Sequence, residues 1–148
     1  SLFSGTHRRM EYKGKLNGAD IYDDYAHHPT EIAATLEAAK ALANGRRLVC
    51  VFQSHTYSRT HALMEGFAST LKAADKVLIA PIYPARETDT LGVDQYVLAA
   101  NIGTSAEGCA DFGDIAKKLK NELSEGDIAI IMGAGDINSI FNSLGFEK

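Results

Sequence analysis

The stretch DDYAHHPTEIAATLEAAKALANGRRLVCVFQ, running from Asp23 to Gln53, decides the fold. Pro29 suits the first turn of a helix, where its missing N–H is one of the donors that a helix start leaves unpaired anyway. Ile32, Leu36, Ala39 and Ala43 then recur at helical spacing. Asn44-Gly45 is a pair that ends helices in the left-handed conformation. Residues 47–53 follow as a nearly continuous apolar run, the pattern of a strand covered on both faces. A buried strand reached through a helix is the signature of a parallel crossover unit.

The same alternation continues outward. Residues 8–14 and 19–24 read as two strands of a hairpin around Leu16-Asn17-Gly18. Downstream, the pattern predicts a helix over 60–73 with Leu63, Met64, Phe67 and Leu71 on one side, and a strand at 77–80. A short helix is expected from Gln95 to Ala100. Residues 101–110 are ambiguous, with room for a short edge strand. Phe112, Ile115, Ala116, Leu119 and Leu123 mark another helix, and 128–132 another buried strand. Asp136 is expected to N-cap a last helix that carries Ile137, Ile140, Phe141 and Leu144 and stops at Gly145. The expectation is an α/β fold: a Rossmann-like, three-layer single domain over 1–148. Its sheet is mostly parallel, with helices on both faces and a short N-terminal hairpin.

Composition narrows the function. Of 148 residues, 45% are apolar, and the formal net charge is −4. A phosphate-backbone binder carries a basic face, so nucleic acid is not an expected partner. No apolar run approaches the ~20 residues of a membrane helix. Two cysteines, Cys50 and Cys109, form no disulfide framework and fit a cytoplasmic location. Cys50, inside an apolar run, reads as a small buried hydrophobe. The chain opens at Ser1 without a methionine, as a piece of a longer protein would.

Ligands of open α/β sheets bind at the carboxyl ends of the strands. Four loops leave such ends: 23–29, 53–59, 81–87 and 133–136. Together they hold three of the five histidines. In the first, Asp24, Tyr25 and His27 read as ligand contacts, while Asp23 and His28 read equally well as helix-entry polar groups. In the second, Arg59 is either a bidentate carboxylate clamp or a solvated surface arginine. His61, further into the helix, reads as surface. Tyr83, Arg86 and Glu87 form a rim element, with Arg86 and Glu87 pairing with each other or with solvent. Gly133-Ala134-Gly135 permits close backbone approach before a helix start, or is a tight turn without a ligand. Arg8 and Arg9 are either a phosphate contact or an exposed basic pair. His27, His28, His55, Asp23 and Asp24 are enough to hold a divalent ion, but no HExxH or CxxC spacing supports a metal site, and none is assigned. No Walker A pattern and no G-x-S-x-G elbow occur.

Five segments in order resemble the C-terminal domain of the Mur ligases. They are Ser4-Gly5 with Arg8-Arg9, DDYAHHPTEIAATL at 23–36, VFQSHTYSRT at 51–60, IYPARE at 82–87 and MGAGDI at 132–137. The likeness is nearest to members that join L-alanine to UDP-N-acetylmuramate. It implies one domain of a three-domain, ATP- and Mg2+-dependent ligase of cell-wall synthesis, whose other domains hold the UDP-sugar, ATP and the ion. By the same likeness Tyr25, His27 and His55 line the L-alanine pocket, Arg59 holds its carboxylate, and Gly133, Ala134 and Gly135 form a wall. Asp24 contacts the ATP ribose and Arg9 its phosphates. The domain alone is expected to have no catalytic residues and no turnover. Ser54 and Thr56 depart from members that read Pro and Arg there, which leaves Arg59 with less help if that second arginine also holds the carboxylate. A related ligase that attaches an intact peptide shares parts of these motifs. A free-standing metal- or nucleotide-binding module and a structural interaction domain are the remaining alternatives.

Overall fold

A computed structural model describes residues 10–146. Six strands, β1 (Glu11–Leu16), β2 (Ala19–Asp24), β3 (Leu48–Phe52), β4 (Lys76–Ile79), β5 (Ala106–Gly108) and β6 (Ile128–Met132), form one sheet in the order β1-β2-β6-β3-β4-β5. Only the β1–β2 pair is antiparallel. It is a hairpin closed by Asn17 and Gly18, both with positive φ, as a two-residue turn matched to strand twist demands.

The helices are α1 (Pro29–Ala43), α2 (Tyr57–Ala62), α3 (Met64–Leu71), α4 (Gln95–Ile102), α5 (Phe112–Glu122) and α6 (Ile140–Ser143). Residues of β3 alternate between two apolar clusters, so neither face reads as polar. Leu48, Cys50 and Phe52 pack with Ile32 and Leu36 of α1, Phe67 and Leu71 of α3 and Leu98 of α4. Val49 and Val51 pack on the other face with Ile115 and Leu119 of α5 and with Ile140 and Phe141 of α6. This is the expected three-layer arrangement with helices on both faces. The Cys50 thiol is fully buried, and burial pushes its pKa up, as fits a packing role.

Two expectations need correction, and one open reading is resolved. The helix placed at 60–73 begins at Tyr57 and is two helices, broken at Leu63, where ψ is 21°. Thr60 sends its hydroxyl back to the Thr56 carbonyl at 2.7 Å, a bond that bends helices. Asp136 makes no side-chain cap bond, and the segment after it is a 3-10 turn, Ile137–Ser139, before the short α6. The ambiguous stretch at 101–110 contains the end of α4 and the edge strand β5.

The segments after the neighbouring strands β3 and β6 pack on opposite faces, Phe67 and Leu71 of α3 on one and Ile140 and Phe141 of α6 on the other. Such a divergence opens a crevice at the carboxyl edge of the sheet.

Candidate functional site

The turn after β2 is built around Asp24. Its side chain is 2% exposed, and Oδ1 accepts from the Ala26 N–H at 2.8 Å and from the Thr35 hydroxyl at 3.4 Å. Oδ2 accepts from the Met10 N–H at 2.9 Å. This Asx-type turn lifts Tyr25 outward, leaving it 45% exposed. The Tyr25 and His27 rings meet edge-on with centroids 5.5 Å apart. His27 lies 3.5 Å from the Glu31 carboxylate. His28 does not join them. Its ring caps α1 by accepting the Thr30 N–H, and Glu31 completes the capping box. Asp23 points to the opposite face, where it lines a cavity of about 350 Å³ with Lys13 and Phe141.

His55 follows β3 and stacks against Tyr83, with centroids 5.3 Å apart and a 33° tilt. Its Nδ1 is buried with no hydrogen-bond partner among the described residues. Burial, together with the positive charge of Arg59 and the nearby His27, holds its pKa below the ordinary value. Protonation would also bury an N–H at Nδ1 without an acceptor, so the neutral ring is favoured.

Thr56 has φ 69° and ψ 147°, a backbone region that a β-branched residue rarely enters. Its neighbours enforce that conformation. The Thr56 N–H donates to the Tyr83 carbonyl at 2.7 Å, and its hydroxyl accepts from the Arg59 N–H at 3.2 Å. Beneath it, the hydroxyls of fully buried Ser54 and Thr60 pair at 2.5 Å. Glu87 is bonded neither to Arg86 nor simply to solvent. Its carboxylate accepts from the Tyr57 N–H at 2.6 Å, the Ser58 N–H at 3.0 Å and the Ser58 hydroxyl, which lowers its pKa. An acid at a helix N-terminus satisfies donors that the helix cannot. The half-buried Arg59 guanidinium has no carboxylate partner among the described residues.

Four expected residues are therefore linked in space. Tyr25 touches His27, and both His27 and Arg59 lie within electrostatic reach of His55. Gly133 donates to the Asp24 carbonyl at 3.3 Å, which places 133–135 beside the same turn. A Cβ at Gly135 would lie 2.8 Å from Tyr83 Cβ, so this loop abuts the ring that stacks on His55. Arg8 and Arg9, as well as Ser4-Gly5, lie outside the described residues. His61 is exposed on α2. The sequence reading gave Gln53 no role; its polar side chain at the end of an apolar strand was the available signal.

The sequence pattern of the Mur ligase, glutamate ligase domain family matches residues 8–135. The chain belongs to this family. A UDP-N-acetylmuramate–L-alanine ligase of Clostridium novyi (strain NT) is 49% identical over 140 residues, covering 93% of this chain and 30% of the relative. The ligase of the same name from Lachnospira eligens is 49% identical over 147 residues, covering 97% of this chain and 32% of the relative. The Mur ligase domain thus spans about a third of the curated relatives it matches. Among solved structures, a murein peptide ligase from Psychrobacter arcticus 273-4 superposes with a TM-score of 0.75 at 28% identity. That match covers 93% of this chain and 29% of the other.

Proposed function

We propose that this Mur ligase domain is the amino-acid-binding part of a cytoplasmic, ATP-dependent ligase that joins L-alanine to UDP-N-acetylmuramate. One observation carries the reading. Arg59 is a half-buried cation without an acidic partner among the described residues, and it lies within electrostatic reach of His55, as His27 does. A guanidinium in that setting suits the carboxylate of a small amino acid. Tyr25, His27 and neutral His55 line the same space, with Gly133, Ala134 and Gly135 as a wall. The names of the curated relatives at 49% identity, UDP-N-acetylmuramate–L-alanine ligases, support the free amino acid as the substrate.

In this proposal the muramate carboxylate is activated as an acyl phosphate. The amine of L-alanine attacks that carbonyl, forms the amide and releases phosphate. The domain's share is to fix the position of the amine and to balance charge, not to supply a nucleophile. ATP and Mg2+ belong mainly to the rest of the ligase. Among the described residues no group of three or more His, Cys, Asp or Glu side chains is arranged to hold a metal. The same proposal gives Asp24 and Arg9 contacts to the ATP ribose and phosphates on domain closure. Asp24 does so from a buried position, so its larger part is to shape the turn.

Arg59→Ala in the full-length ligase tests the reading. The L-alanine KM should rise by roughly 10–100-fold, the loss expected for a charge-assisted bond, with the UDP-N-acetylmuramate KM unchanged. Unaltered alanine kinetics would remove Arg59 from the site.

A further inference from the structure

Gln53 follows directly on β3 as a polar side chain at the close of an apolar run, and it is 3% exposed. A carboxamide offers two donors and one acceptor oxygen. The chain uses both kinds. Nε2 donates to Asp136 Oδ1 at 2.9 Å and to the Pro81 carbonyl at 3.3 Å, while Oε1 accepts from the Ile137 N–H at 3.0 Å. The backbone N–H of Gln53 donates to the Met132 carbonyl at 3.1 Å. One residue therefore joins the segments that follow β3, β4 and β6.

This contact also accounts for the missing cap at Asp136. The Ile137 N–H opens the 3-10 turn and takes its acceptor from Gln53, 84 residues away. The Asp136 carboxylate, not used as a cap, receives the amide donor in return. An apolar side chain at 53 would leave the Ile137 N–H and the Pro81 carbonyl without these bonds. A carboxylate at 53 would have no donor for Asp136 and would repel it.

The glycines beside it fit the same contact. At Gly133 φ is +149°, and an added Cβ would lie 2.9 Å from the Gln53 carbonyl oxygen. At Gly135 it would lie 2.6 Å from Gln53 Oε1 and 2.8 Å from Tyr83 Cβ. The pair of glycines thus admits Gln53 and Tyr83. Tyr83 in turn stacks on His55 and bonds through its backbone to Ser54 and Thr56.

We propose that Gln53 is a positioning residue that sets the 133–136 wall and, through Gly135 and Tyr83, the ring of His55. This rests on the proposed amino-acid site. Displacement of that wall and ring weakens the hold on the amino acid while leaving the rest of the ligase unchanged.

The test compares Gln53→Met and Gln53→Glu with the parent in the full-length ligase. In Gln53→Met the L-alanine KM rises about tenfold, with the ATP and UDP-N-acetylmuramate KM values within twofold. In Gln53→Glu the alanine KM recovers toward the parent value as pH falls, because the protonated carboxyl regains a donor for Asp136. An alanine KM within twofold of the parent in Gln53→Met overturns the proposal. So does a loss of kcat or melting temperature without a selective KM change and without acid recovery in Gln53→Glu, since a purely structural role gives that pattern. If the parent ligase shows no alanine-dependent turnover, the functional reading is what fails. The clamp is then judged by hydrogen exchange at the Ile137 amide, which should quicken at least about tenfold in Gln53→Met if the bond holds the turn closed. Unchanged exchange rejects the clamp.

Discussion

The two edges of the sheet handle polar groups in opposite ways. At the amino edge, charges answer charges in the open. Lys15 and Arg46 share Asp20, and Lys76 reaches Glu107 and Glu122; the Arg47 pair is the exception, because its Asp127 is buried and also accepts the Ser124 N–H. At the carboxyl edge, Gln53 and Asp24 are buried and bonded to backbone, Glu87 caps a helix, and Arg59 has no acid facing it among the described residues. Exposed pairs are interchangeable because water screens them. Buried hydrogen bonds are not, because each lost partner strands a desolvated group. Apart from buried Asp127, the amino edge can therefore vary at little cost, whereas the carboxyl edge is fixed and keeps a cation available.

Several substitutions sharpen this contrast. The largest effect is expected at Gly135→Ala, where the new methyl meets Gln53 and Tyr83. Overpacking there should cost about 1–3 kcal/mol, read from the urea midpoint at constant m. A loss below ~0.5 kcal/mol would show the carboxyl edge to be as pliant as the amino edge. Thr56→Gly should act in the other direction. Relief of strain at φ 69° outweighs the weaker cap and the extra freedom of glycine, for a gain of about 0.5–1 kcal/mol in the same measurement. A destabilised Thr56→Gly variant would mean that the Thr56 backbone is not strained. At the amino edge, Lys15→Ala should leave the urea midpoint unchanged, since the Lys15 side chain is 61% exposed. A clear drop in the midpoint would erase the distinction.

The smallest effect should be a pH dependence from His55. Its folded pKa lies below the ordinary 6.5, so below 6.5 the unfolded chain binds more protons than the folded one. Stability from this group is fully present above pH 6.5 and is lost on acidification toward the folded pKa. His55→Gln should flatten the acid limb of a stability–pH profile, and an unchanged limb would put the imidazole in a more solvated setting.

Periodicity in the sequence captured the layers because burial on both faces leaves runs such as Leu48–Phe52 without polar interruption. It missed the break at Leu63, since the apolar stripe of Leu63, Met64, Phe67 and Leu71 passes straight through it. Asp136 looked like a cap because capping is usually local, but here the acceptor comes from Gln53, far away in sequence. Glu87 gave no local sign of its partner for the same reason, lying 30 residues from Tyr57 at the start of α2. Arg59, Tyr25 and His27 were picked out because they are polar groups following buried strands, and the structure brings Tyr25 against His27, with His27 and Arg59 in electrostatic reach of His55. The glycine loop was read as room for a close approach. The structure adds that Gln53 and Tyr83 already occupy the space the missing side chains leave.

Asp24 also makes a mechanical connection. One carboxylate grips the Met10 N–H with one oxygen and the Ala26 N–H with the other. Tension on the backbone entering β1 is thereby transmitted, across two bonds, to the turn that presents Tyr25 and His27. Any pull on the backbone at Met10 would be felt first at the turn that carries Tyr25 and His27.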